Sequence, residues 1–129
     1  MITTEQCKKL IQDYVQALNL NKSRATLDKF IADSELRDHI IVFESGLPNY
    51  QLCIKDLVAE GNKVVCRATV QGEHKGELFG IAPTGRKVNV DGLIMYELED
   101  NKIVNHWMQF DTMSLMQQIG SVPVAAAAH

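Results

Sequence analysis

His106 is the side chain in this sequence best suited to moving a proton. Histidine is the residue type whose charge changes close to neutral pH. His106 falls in the middle of residues 103–111, where apolar and polar residues alternate as in a strand. Its other reading is a buried neutral histidine bonded to Tyr96 or to a backbone group, because buried polar groups normally find structural partners. Tyr96 lies in a second alternating stretch, residues 86–98. There a phenol could donate to a developing enolate oxygen, or form part of the core with its hydroxyl at the rim. Asp111 ends the last strand. In Asp111-Thr112-Met113-Ser114 it reads as a helix N-cap, and as a general base if the strand register slips. His74, between Gly72 and Gly76, fits a turn or strand edge and could close the rim of a pocket. His39 lies beside an apolar helical stripe and is expected to be half exposed. Ile94, Met108 and Phe110 are the apolar residues expected to face a ligand, with His39 and His74 beside them.

Other chemistries lack their residues. There is no phosphate-cradling GxxxxGK, no GxGxxG, no GxSxG and no HExxH. Cys7, Cys53 and Cys66 are odd in number and widely spaced, so zinc and redox spacings are missing. Three free thiols suit a reducing cytoplasm, which is the expected location. A net charge of −3 with no basic run longer than two residues argues against nucleic acid. No N-terminal signal pattern is read, and no apolar run approaches the ~18 residues of a membrane span.

The elements that must position these residues follow from two periodicities. Cys7, Leu10, Ile11, Tyr14, Val15 and Leu18 form one apolar stripe. They predict a helix over 3–19 opened by a capping box of Thr3 and Gln6. Ser23 caps a second, short helix that buries Leu27, Phe30 and Ile31. Asp33 or Ser34 caps a third with Leu36, Ile40, Phe43 and Leu47 on one face, stopped by Gly46 and Pro48. From Tyr50 the period becomes 2: Tyr50, Leu52, Ile54 and Val58, then Val64, Cys66, Ala68 and Val70 beyond a Gly61-Asn62 turn. Gly72 to Gly80 reads as a short edge strand after a bend, and Pro83-Thr84-Gly85 as a loop. Strands over 86–98 and 103–111 precede a last helix over 112–119. The chain is therefore expected to be α+β: N-terminal helices packed on a curved, mostly antiparallel sheet, with a short C-terminal helix. Residues 1–120 form a single domain and 121–129 a loose Ala-rich tail. A chain of 129 residues is long enough for one hydrophobic core without disulfides or metal.

A three-residue loop, Glu99-Asp100-Asn101, puts Gly92, Ile94, Tyr96 and Leu98 on one face with Val104, His106, Met108 and Phe110. A two-residue loop would mix these sets. The other face carries Leu93, Met95 and Trp107, and one helix layer cannot cover both faces. A homodimer through Leu93, Met95 and Trp107 is expected. Met95, Met108, Met113 and Met116 are pliable side chains, suited to a core or an adaptable apolar pocket.

Four groups of residues taken in order carry a resemblance. They are Asp56-Leu57-Val58-Ala59-Glu60-Gly61-Asn62-Lys63-Val64-Val65, then Gly72-Glu73-His74-Lys75-Gly76-Glu77 with Gly80-Ile81-Ala82-Pro83-Thr84-Gly85-Arg86. Asp100-Asn101-Lys102-Ile103-Val104-Asn105-His106-Trp107 and Gln117-Gln118-Ile119-Gly120 follow. Together they resemble the SnoaL-like polyketide cyclases, within the nuclear transport factor 2-like superfamily of cone-shaped α+β folds. The resemblance implies a hydrophobic pocket between sheet and helices, no metal, no cofactor, and a dimer or larger oligomer. It implies a small hydrophobic carbonyl compound as partner, with cyclase- or isomerase-type acid/base chemistry. The aspartate that serves the cyclases falls at Met108, and two polar partners on the neighbouring strand fall at Gly92 and Ile94. A non-catalytic ligand-binding or dimeric interaction module is the alternative, favoured by these three replacements.

Overall fold

A computed structural model of the chain describes residues 3–120. The tail expected over 121–129 lies outside them. Helix α1 (Thr4–Leu20) begins with the capping box: the Gln6 N–H donates to the Thr3 hydroxyl and the Thr3 N–H to the Gln6 side chain. Its stripe of Cys7, Ile11, Tyr14, Val15 and Leu18 is buried. Ser23 caps α2 (Arg24–Phe30), and Asp33 caps α3 (Ser34–Gly46). Four strands follow, β1 (Gln51–Glu60), β2 (Lys63–Glu73), β3 (Lys87–Glu99) and β4 (Lys102–Phe110), and then α4 (Thr112–Gln118). The strands form one antiparallel sheet in the order β1-β2-β3-β4. The core lies between α1 and the inner face of the sheet, where Val64, Cys66, Ala68, Ile94, Tyr96 and Leu98 are buried. Among the described residues no helix is long and apolar enough to cross a membrane.

Two bulges decide which residues face inward. In β1 the register shifts between Ile54 and Asp56, so the alternation changes face at Lys55. Leu57 and Ala59 therefore pack against the core, while Val58, expected inside, is exposed. The last hairpin also departs from expectation. Glu99 pairs with Lys102, leaving a two-residue loop, Asp100-Asn101, with φ of 51° and 61°. Both residues are left-handed, as a type I′ turn requires, and Asp and Asn tolerate that conformation. A second shift between Glu97 and Leu98 then takes up one residue of β4. Ile103 is buried in the place expected for Val104, and beyond the bulge Tyr96 pairs with His106, Ile94 with Met108 and Gly92 with Phe110. The pocket-side set from Gly92 to Tyr96 is thus the expected one, reached by a different turn.

Residues 74–86 are a strap rather than an edge strand. Its two arms meet through backbone bonds of His74 to Gly85 and Arg86 and through an isolated bridge between Leu78 and Ile81. The Lys75 and Gly76 N–H groups donate instead to the Gly46 carbonyl at the end of α3. A Cβ at Gly76 would stand 1.9 Å from the Ser45 carbonyl oxygen, so only glycine allows this approach.

Candidate functional site

The inner face of the sheet and the helices enclose a small apolar cavity of about 30 Å³. At about 10–15 Å³ for each water, that is room for two or three waters, so most of the space expected as a pocket is filled by side chains. Tyr14 and Leu18 of α1, Leu36, His39, Ile40 and Phe43 of α3, and Ile94, Tyr96, Met108 and Phe110 of β3 and β4 form most of its wall. Phe43 stands at the centre of an edge-to-face cluster, with ring centroids 6.2 Å from Tyr50, 6.1 Å from Phe79 and 6.0 Å from Phe110. The Phe110 ring lies over Gly92, where a Cβ would come within 2.2 Å of it. Gly92 is what lets this ring fold into the cup.

Tyr96 is fully buried in this wall; its hydroxyl makes no well-formed hydrogen bond among the described residues and interacts only weakly with the Tyr14 hydroxyl. Tyr14 meets it edge-on at 5.8 Å. Burial pushes both phenols well up from their ordinary range, Tyr96 further helped by the nearby Tyr14, Cys66 and Tyr50 groups. Tyr96 is therefore a neutral phenol at any physiological pH. It is a donor into a greasy space, and never a base there.

His106 stands opposite Tyr96 on β4 and on the same face, but it is not among the residues that line the cavity. Its Nδ1 lies 2.6 Å from Asp33 Oδ2. Asp33 Oδ1 meanwhile accepts from the Glu35 and Leu36 N–H groups at the start of α3. The carboxylate reaches β4 because the segment before it adds to the sheet edge: Ala32 and Asp33 N–H both donate to the Ile103 carbonyl. The Arg37 guanidinium, donating to the Ile31 carbonyl, secures that segment. Burial disfavours the Asp33 charge, but the His106 hydrogen bond and the backbone N–H donors outweigh it and hold the carboxyl below its usual range. A depressed folded-state value gives stability that is complete above the unfolded carboxylate range, near pH 4, and is lost as the pH falls through the folded value. Accordingly, the gap in urea midpoint between the wild type and Asp33→Ser should shrink as the pH falls below about 4.

His39 lines the cavity from α3, with its ring edge-on to His106 at 5.3 Å. His74 does not reach the cavity. It is buried, its Nδ1 accepts the Thr84 N–H at 3.2 Å, and its backbone bonds to Gly85 and Arg86 hold the strap closed. Asp111 is exposed and accepts from the Ser114 N–H as the N-cap of α4. Its carboxylate is also absent from the cavity wall. Two participants were missed in the sequence. Asp33 showed only its capping role, because its second oxygen meets a residue 73 positions away. Tyr14 was hidden in an apolar stripe, where its polar tip was the one available signal.

Helices packed on a curved four-stranded antiparallel sheet, with a short C-terminal helix, give the α+β nuclear transport factor 2-like fold. The profile of the SnoaL-like polyketide cyclases matches residues 4–119, and the chain belongs to that family. TsrD of Streptomyces laurentii shares 24% identity and a TM-score of 0.82, covering 95% of this chain and 100% of that one. AclR, a candidate hydroxylase from Streptomyces galilaeus, shares 24% identity and a TM-score of 0.82 over 98% of this chain and 92% of its own. A SnoaL-like polyketide cyclase of Agrobacterium tumefaciens gives 21% identity and a TM-score of 0.73, covering 93% and 100% of the two chains. These likenesses show the fold. A search of curated proteins finds no significant match.

Proposed function

We propose that this chain takes a small hydrophobic carbonyl compound under its sheet, with the carbonyl oxygen accepting from the Tyr96 hydroxyl. The observation that carries the reading is a buried phenol, Tyr96, whose hydroxyl makes no well-formed hydrogen bond and has only the weak company of the Tyr14 hydroxyl in a mainly apolar wall. Such a donor stands to gain a full hydrogen bond from a ligand that brings an acceptor. His106, directly across the strand pair from Tyr96, is the group to take the proton from the carbon beside the carbonyl. The C–H electron pair then moves into a carbon–carbon double bond, the carbonyl π pair moves onto oxygen, and Tyr96 holds the resulting enolate. This is the first half of a cyclase- or isomerase-type reaction.

A non-catalytic ligand-binding role is the second reading. It is favoured by Met108, Gly92 and Ile94 at the three polar positions of the cyclases, and by His106 lying just behind the cavity wall. Simple cyclic ketones in D2O separate the two. Catalysis predicts that the wild type speeds exchange of the α-protons, read by NMR, and that His106→Asn abolishes the acceleration. Binding without exchange would favour the second reading, and no binding of any ketone would remove both.

The partner we propose for the outer face is a second copy of the chain. Val58, Val65, Met95 and Trp107 pair successively across all four strands, making one apolar row on that face. Within it Trp107 is 50% exposed, and Leu93 beside it is 51% exposed. The row is flanked by charged and polar residues, Glu60, Lys63 and Glu97 on one side and Asp56, Arg67 and Gln109 on the other. A face with an apolar centre and a polar rim suits self-association. Light scattering should give the mass of two subunits, and Trp107→Glu that of one; a monomeric wild type would refute the dimer. Three free cysteines support a reducing, cytoplasmic setting.

A further inference from the structure

We infer that Asp33 is a positioning residue, one that fixes the His106 tautomer so that Nε2 is left as the proton acceptor. An ionised carboxylate has no hydrogen to give. At 2.6 Å from Asp33 Oδ2, His106 Nδ1 must therefore be the donor. In a neutral imidazole only one nitrogen carries hydrogen, so Nε2 holds a lone pair. Nε2 makes no hydrogen bond among the described residues that would oppose this.

The placement makes the pair more than a surface contact. The His106 side chain is 4% exposed and that of Asp33 11%. The carboxylate cannot swing away freely, because its other oxygen is engaged by two N–H groups at the start of α3. One residue thus starts the helix that carries His39 and orients the imidazole that His39 touches. The other titratable groups around His106 are His39 on α3, edge-on to the ring, and Tyr96 on β3 opposite it. Tyr96 is neutral, and on the strand pair Glu97 points to the opposite face with Asn105. Asp33 is then the group that selects the tautomer. The inference deepens the proposed acid/base role of His106 and rests on it for its functional meaning.

The test is made on the free protein, so its result is independent of whether a carbonyl ligand binds. Long-range 1H–15N NMR, at a pH where the His106 ring is neutral, reads which ring nitrogen is protonated. The wild type should show hydrogen on Nδ1 and a bare Nε2. Asp33→Ser keeps a good N-cap but removes the partner, and should shift the ring towards the Nε2–H form that unconstrained histidines favour. A merely structural aspartate would change stability without changing the tautomer. Hydrogen on Nε2 in the neutral wild-type ring would overturn the inference, as would an unchanged tautomer in a folded Asp33→Ser chain. If the serine variant does not fold, the wild-type spectrum alone decides. Binding and exchange assays fail separately if the carbonyl reading is wrong.

Discussion

The Phe110→Ala chain is expected to be less stable than the wild type by about 2–3 kcal/mol, while admitting ligands that the native cup excludes. Truncating a fully buried phenylalanine costs about 3–5 kcal/mol, and Phe110 is only partly buried. Its ring nevertheless lies on Gly92 and against Phe43, at the place where the cavity of about 30 Å³ would otherwise widen. Ligand sites for drug-sized molecules run to about 300–1,000 Å³, so a substrate of that size needs these rings to move. Removing the ring provides the room permanently. A urea melt should show the loss, and an environment-sensitive apolar dye should bind the variant at least about tenfold more tightly than the wild type. A stable variant with unchanged dye binding would mean that Phe110 does not define the cup.

The second large effect concerns Tyr96. In an ordinary core, Tyr→Phe leaves a former partner unsatisfied and costs about 1–3 kcal/mol. Here the hydroxyl makes no well-formed hydrogen bond, and its weak interaction with the Tyr14 hydroxyl is little to lose. Tyr96→Phe should therefore leave the thermal midpoint of the free protein unchanged or raise it. Affinity should fall in the same variant, and only for ligands that carry an acceptor. Satisfying a buried hydroxyl is worth about 1–3 kcal/mol, or roughly 5- to 150-fold in Kd. A large drop in the midpoint without ligand would mark Tyr96 as a structural residue instead.

How far the sequence could be read depends on whether a feature is local. The capping box of Thr3 and Gln6, the Ser23 cap and the stripe from Cys7 to Leu18 are all written within a few residues of one another, and each is present in the fold. The family was legible through short motifs around the hairpins, and residues 4–119 match it. The bulges were not legible. Nothing in Ile54-Lys55-Asp56 signals that Val58 turns outward, because the flip is decided by pairing with Arg67 and Cys66 on the next strand. In the last hairpin the Asp100-Asn101 turn and the shift beside Leu98 compensate, so the inner set from Gly92 to Tyr96 survived a wrong loop length. The 72–80 stretch was misread because its backbone partner, the Gly46 carbonyl, lies on a helix end rather than a strand. The site was least legible of all. Both Asp33–His106 and the burial of the Tyr96 hydroxyl beside Tyr14 are properties of packing between distant segments.

The central claim is that the Tyr96 hydroxyl is kept for a ligand oxygen. Calorimetric titration of wild type and Tyr96→Phe with a cyclic ketone, and with the same ring bearing a methylene in place of the carbonyl, tests it directly. The wild type should prefer the ketone by roughly 5- to 150-fold, and the phenylalanine variant should bind the two compounds alike. Equal binding by the wild type, or a ketone preference that persists without the hydroxyl, would contradict the account.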